Sequence, residues 1–459
     1  MGADRQAVEV PREWYNIVPD LPSPLPPAID PVTRRPVDEA KLRRLFVGEV
    51  ARHEFAGERF IPIPEEVRSV YSIWRPTPLV RASRLENALG TPAKIYYKNE
   101  TVSPPGSHKA NAAVPQAYFA KREGIRRLVG NTTAGQWGCA LAFACSVFDV
   151  KSTIYMSRSS YDSKPYRREL AEAWGAEVIP SPSERTAVGR SALAKDPRDM
   201  GTLSLAVGES QEDAMGDPTA RSAVGSVFNF VLANQTVMGQ EAVAQIERLD
   251  EYPDSVIGCI GGGSNFSGLF WPFYHEVTAG KSLKEVEFIA AESTAAPRMT
   301  RGEYMYDHVD AAGRSSLTKM YSLGHTYVPP DIHSAGLRTH ASAATLSLLV
   351  QHGVVRPVAY NQLDVFEAGT LFARTEGILP APETAHAVRA VIDEAKKCKE
   401  SGEKKVILFN LCGHGLLDIE SYRAYLSGKM TPGDADPGAI ERAIEEARAF
   451  HPWLQPNET

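Results

Sequence analysis

The chain has 459 residues, 23% of them charged, and a net charge of −6. That length is more than one ordinary core, so two packed domains are expected, and mild negative charge without a Lys/Arg run argues against a nucleic-acid or polyanion partner. Five scattered cysteines with no CxxC pair argue against a thiolate metal site and for a reducing cytoplasm, and the sequence has neither a signal-like start nor an apolar run of the ~20 residues that cross a bilayer.

Residues 1 to 40 are proline-rich, notably Leu21-Pro22-Ser23-Pro24-Leu25-Pro26-Pro27, which favours extended backbone. Two arrangements fit: with Trp14, Tyr15 and Ile17 the segment lies along a folded body or a neighbouring subunit, or it is a disordered tail. The spacing of Leu42, Leu45, Phe46 and Val50 predicts a helix from Asp38 to Phe55, and a second runs from Glu65 to Tyr71. Strands are then predicted at Ala93 to Lys98, Arg127 to Val129, Ser152 to Met156 and Ala176 to Ile179, alternating with helices at Ala110 to Gly124, Cys139 to Phe148 and Pro165 to Trp174. This succession predicts an α/β fold of two three-layer domains with twisted, mostly parallel sheets. More helix and surface loop are expected from Ser181 to Met238. Further strands are predicted at Ser255 to Ile260, Glu287 to Ala291 and Lys405 to Leu411, with a loop-rich stretch over 297–335 and a helix from Ala341 to Gly353. There is no internal repeat.

Three stretches carry chemistry. Lys109 follows the turn Ser103-Pro104-Pro105-Gly106-Ser107-His108 and precedes Ala110, Ala112 and Ala113, a setting where a Schiff base can form against close backbone; a solvated surface lysine fits the same residues. Gly261-Gly262-Gly263-Ser264-Asn265 follows a buried strand, and strand, glycines, helix is the arrangement in which backbone N–H groups and a helix N-terminus bind an anion. It has neither the Walker spacing nor the dinucleotide fingerprint, which points to one phosphate rather than a nucleotide, the alternative being a glycine turn without a ligand. Thr132-Thr133-Ala134-Gly135-Gln136 repeats the arrangement at a size that suits a carboxylate, or is simply a capped helix start. A lysine and two anion cradles fit pyridoxal phosphate (PLP) with an amino-acid substrate.

From about Trp14 to Tyr425 the chain resembles the β-chain family of tryptophan synthase, in its longer second group. The resemblance is carried by Trp74-Arg75-Pro76-Thr77-Pro78-Leu79, Gly106-Ser107-His108-Lys109, Ala134-Gly135-Gln136-Trp137-Gly138, Gly261 to Asn265, Thr300-Arg301-Gly302-Glu303-Tyr304 and Arg374-Thr375-Glu376-Gly377-Ile378. It implies a PLP enzyme of the second fold type and a homodimer. It divides the chain into an N-terminal extension (1–70), a larger cofactor-binding domain (71–108 and 239–430), a smaller domain (109–238) and a C-terminal helix or tail (431–459). By the same resemblance Lys109 holds the cofactor and removes the substrate Cα proton, while Gly261, Gly262, Gly263, Ser264 and Asn265 hold the phosphate with His108 beside it. Asn111 and Gln136 lie near the phenolic oxygen and the substrate, Glu292 near the ring, and the segment Thr132 to Trp137 at the substrate carboxylate. The implied reaction forms an aminoacrylate from L-serine or O-phosphoserine and adds indole or a related nucleophile at the β-carbon. A monovalent-cation requirement and docking of an α-type subunit stay open.

The chain departs from the family pattern near the expected reaction centre. Asn131 stands where the family usually has a glutamate that helps the leaving group depart, and an amide cannot exchange a proton near neutral pH. Cys412 replaces the serine that commonly faces the pyridine nitrogen, Thr339 and Ala341 alter a Leu-Arg-Tyr-His-Gly pattern, and Asn234 stands where histidine is common. These changes set up an alternative, a diverged enzyme doing β-elimination or using another nucleophile or amino acid. Lys164, Arg167 and Arg168, within one helical turn, offer contacts for a phosphorylated substrate or form a solvated basic face.

Overall fold

A computed structural model describes residues 8–163, 165–282, 284–310, 313 and 315–454. Two sheets organise it. The larger has six strands in the order Val355–Tyr360, Glu287–Ser293, Ser255–Cys259, Val406–Leu411, Lys94–Asn99 and Leu79–Arg81. All neighbours are parallel except the short edge strand Leu79–Arg81, which runs antiparallel to Lys94–Asn99. The smaller is fully parallel, in the order Glu177–Ser181, Lys151–Ser157, Arg127–Thr132 and Ala220–Ala223. The strands 255–259 and 406–411 are buried at every position, the near-continuous apolar pattern of a parallel sheet covered on both faces. The α/β class expected from alternating strands and helices is the observed one.

The N-terminal segment lies along the body. Glu13–Tyr15 pairs antiparallel with Phe60–Pro62, Trp14 and Ile17 are fully buried, and the Asn16 amide donates to Ala56 O at 2.8 Å and Glu58 O at 3.0 Å. The helix expected from Asp38 to Phe55 is instead two, Glu39–Leu42 and Gly48–Glu54. The Glu123 carboxylate accepts from the first N–H groups of the second, Gly48 N and Glu49 N, each at 2.7 Å, so a new helix starts there. The loop-rich stretch contains an antiparallel pair, Glu303–Asp307 with Thr318–Ser322, and the region after Ser181 contains the strand Ala220–Ala223, whose Ala-Arg-Ser-Ala sequence has no apolar alternation. Among the described residues no helix is long and apolar enough to cross a membrane.

Beneath the helix Ala110–Arg122 lies a dry set of charges. The side chains of Arg75, Glu100, Lys98 and Glu241 are all fully buried. The Arg75 guanidinium donates to Glu241 at 2.8 Å and to both Glu100 oxygens at 3.0 and 2.8 Å, and Lys98 Nζ donates to Glu241 and Gln245, each at 2.8 Å. Burial holds Lys98 below its ordinary value and alone would push the Glu100 carboxyl up and the Arg75 guanidinium down. Within the set Arg75 ends above its ordinary value and Glu100 below its own, because the opposite charges outweigh desolvation. Removing one member strands its partners in a low-dielectric interior. Arg75→Met is therefore expected to cost about 3–5 kcal/mol of folding free energy, read by chemical denaturation, and a loss below about 1 kcal/mol would contradict this account of the set.

Candidate active site

Strands of both sheets end on one cavity of about 2130 Å3, the crevice beyond strand carboxyl ends where α/β proteins bind ligands. Its wall includes His108 and Lys109, the segment Asn131 to Ala134 with Gln136 and Trp137, Cys259, Gly261 to Asn265, Thr339, Glu383 and Cys412. The three stretches that carried chemistry in the sequence thus meet in space.

Lys109 immediately precedes the helix Ala110–Arg122. Its Nζ donates to Gly225 O at 2.6 Å and lies 3.5 Å from Ser264 Oγ, the first residue of the helix Ser264–Thr278. Burial pushes the amine down to about 8. The glycines before that helix allow close approach of a ligand to backbone. A Cβ on Gly261 would sit 2.5 Å from Gly336 O, one on Gly262 2.5 Å from Ser226 Oγ, and Gly263 has φ +107°. Arg298, fully buried, braces this loop from behind by donating to Gly261 O and to Ile260 O at 2.6 Å. Val227, also on the cavity wall, has φ +74°, a left-handed conformation that costs a β-branched residue about 1–3 kcal/mol.

The second cradle is held from several sides. Gly135 N donates to Thr132 Oγ1 at 3.0 Å, and Gly135 itself, at φ +90°, turns the chain into the helix Gln136–Phe148 against Arg167. The Arg167 guanidinium donates to Ala134 O at 3.0 Å and pairs with buried Asp418. Gln136 Nε2 donates to Glu383 Oε2 at 3.0 Å, and Glu383 Oε1 accepts from Gly336 N at 2.9 Å. Glu383 therefore ties the carboxylate loop to the segment beside the glycines. Asn131, near the end of its strand, donates to Ser210 Oγ at 3.0 Å.

At the floor, Cys412 Sγ lies 3.6 Å from Cys259 Sγ and 3.0 Å from Thr384 Oγ1. His108 Nδ1 is 3.1 Å from Cys412 O, while its Nε2 is buried without a partner among the described residues.

Two residues expected near the cofactor lie off the cavity wall. Asn111 is fully buried behind the wall, where its amide donates to Glu100 at 2.9 Å and Gln235 at 3.0 Å, so it belongs to the charge set. Glu292 is likewise fully buried and accepts from Met299 N, Thr300 N and Thr300 Oγ1 at 2.7 to 3.1 Å, closing the turn that carries Arg298 rather than facing the cavity. Neither Arg167 nor Arg168 is on the wall: the first is spent on Ala134 and Asp418, the second lies over Tyr161 at 4.5 Å beside Glu169 and Glu172. Lys164 lies outside the described residues. Asn234 is buried off the wall, whereas Thr339 and Ala341 are on it. Glu383, Thr384, Arg298, Asp418 and Cys259 were missed, since none of them sits in a motif and only the pairing of distant segments reveals them.

The residues present fit PLP. A glycine cradle at a helix N-terminus, where the first N–H groups have no helical acceptor, suits the phosphate, and Lys109 stands within reach of that cradle. Unpartnered His108 Nε2 suits a polar ligand atom.

Comparison with known proteins agrees. Residues 70–413 match the family model described as pyridoxal-phosphate dependent enzyme. The chain is 53% identical over 429 residues to the tryptophan synthase beta chain of Thermococcus gammatolerans, covering 93% of this chain and 97% of the relative. It is 55% identical to the tryptophan synthase beta chain 2 of Pyrococcus abyssi (92% and 95% covered) and 52% identical to that of Aquifex aeolicus (92% and 98%). Among solved structures, a fungal L-serine ammonia-lyase from Rhizomucor miehei (TM-score 0.57, 15% identity) and a T.th. threonine deaminase (TM-score 0.52, 20% identity) each cover 77% of this chain and 98% of their own, and share the fold.

The depressed amine of Lys109 has a kinetic consequence. Only the neutral amine is nucleophilic, and its fraction rises as pH passes about 8. The rate at which cofactor-free protein takes up PLP, followed by visible absorbance, is expected to climb through that pH and level off above it. A climb continuing to about 10.4, the ordinary lysine value, would contradict the burial argument.

Proposed function

The chain belongs to the pyridoxal-phosphate dependent enzymes and, within them, to the tryptophan synthase beta chains, and from that premise we propose that it is a lyase replacing the β-substituent of L-serine or O-phosphoserine with indole. The observation that carries this reading is the meeting of Lys109, the glycine cradle and the Thr132–Gln136 loop on one cavity. With identity above half over more than nine-tenths of the chain, the alternative of a different reaction is not favoured.

When bound, PLP supplies an electron sink for charge developing at the substrate Cα. The chain supplies the rest. Gly261 to Asn265 hold the phosphate, and backbone N–H groups of the Thr133–Gln136 loop orient the substrate through its carboxylate. The Lys109 amine, held near 8 by burial, is matched to taking the Cα proton close to neutral pH. Glu383 keeps Gln136 in place. Asn131 offers a hydrogen bond but no proton to the departing group, which favours a leaving group stable as an anion. A homodimer in a cytoplasmic setting completes the reading; the first rests on the family resemblance, and the second is supported by five unpaired thiols.

Purified protein given PLP, indole and either amino acid is expected to form tryptophan, faster from O-phosphoserine than from L-serine. Pyruvate release without tryptophan would overturn the proposal. Asn131→Glu restores an acid, and its turnover with L-serine is expected to rise at least about tenfold while that with O-phosphoserine changes less. An equal change for both substrates would remove Asn131 from the leaving-group step.

A further inference from the structure

Two thiols share the floor of the candidate cofactor site. Cys259 ends the strand Ser255–Cys259 and Cys412 directly follows Val406–Leu411, the neighbouring parallel strand. Their sulfurs lie 3.6 Å apart, and both residues line the cavity. Among the described residues Cys139, Cys145 and Cys398 are buried elsewhere and are not on the cavity wall.

We propose that Cys259 and Cys412 form a reversible disulfide when the cofactor is absent and a hydroperoxide enters the cavity, and that the disulfide closes the site to PLP. Each sulfur has a polar neighbour that can support a thiolate: Asn265 Nδ2 donates to Cys259 Sγ at 3.1 Å, and Thr384 Oγ1 lies 3.0 Å from Cys412 Sγ. One thiol of the pair loses its proton and attacks one peroxide oxygen, the O–O bond breaks, and hydroxide, or alkoxide from an alkyl hydroperoxide, leaves to be protonated to water or alcohol. The other thiol gives up its proton and attacks the resulting sulfenic sulfur, the S–O bond breaks, and water forms on protonation. Two thiols lose two electrons and one peroxide gains them.

Bridging shortens the sulfur separation to about 2.0 Å, which draws Cys412 Sγ from its 3.0 Å contact with Thr384 Oγ1. PLP held at the glycine cradle would occupy the cavity that both sulfurs line and so slow the oxidation; this clause rests on the proposed function.

The test treats the full-length protein, stripped of PLP or loaded with it, with hydrogen peroxide, then measures intact mass and maps peptides without reduction. The expected result for the stripped protein is loss of two hydrogens, a Cys259–Cys412 linked peptide, a PLP affinity reduced at least about tenfold and recovery with dithiothreitol. Absence of that linked peptide, or a link through another cysteine, overturns the proposal. Equally fast linkage in the loaded protein overturns the protection. Cys412→Ser, confirmed folded by circular dichroism, must lose the link, and a two-hydrogen loss persisting in it refutes the pairing. Mass and peptide readouts do not depend on tryptophan formation, so failure of the proposed reaction leaves this test readable.

Discussion

The fully buried set of Arg75, Glu100, Lys98 and Glu241 is the constraint on which the site depends. Four charges are kept from water only because each has opposite charge and hydrogen-bond donors or acceptors at 2.6 to 3.0 Å, among them Thr77 and Gln245. Asn111 joins this set to the helix that starts beside Lys109, donating to Glu100 and accepting from Arg75 Nε at 3.3 Å. Tyr71 adds a bond to the Asn111 carbonyl at 2.5 Å. The backbone around the lysine is thereby fixed from below, leaving its amine directed at the cavity.

From that fixed point the site is assembled across two sheets. The larger contributes Cys259 and Cys412 at its strand ends and the glycine cradle that follows; the smaller contributes Asn131 and Thr132. Two side-chain bridges span the gap between them. Gln136 reaches Glu383, and Arg167 reaches Asp418 while holding the Ala134 carbonyl. Geometry of the carboxylate loop is consequently coupled to the segment just beyond Cys412, which makes the floor and the substrate grip parts of one arrangement.

Much of this was legible in the sequence, for identifiable reasons. Strand, glycines, helix is a local pattern, so Gly261 to Asn265 and Thr132 to Gln136 were readable without knowing the fold. Lys109 was readable because a Pro/Gly turn and small residues flank it. Partners that depend on pairing distant segments were not: Glu383 stands 247 residues from Gln136, Asp418 251 from Arg167 and Cys412 153 from Cys259. The partners of Asn111 and Glu292 were hidden for the same reason, since a polar residue near a cofactor motif and one turned into a buried network look alike in sequence. The strand Ala220–Ala223 escaped notice because its neighbours, not its composition, make it a strand.

The claim that most of this hangs on is that Lys109, and no other lysine, carries the cofactor. Borohydride reduction of the PLP-loaded protein followed by peptide mapping tests it directly. The account predicts the reduced adduct on Lys109 alone; an adduct on Lys98, or an unmodified Lys109, would contradict it.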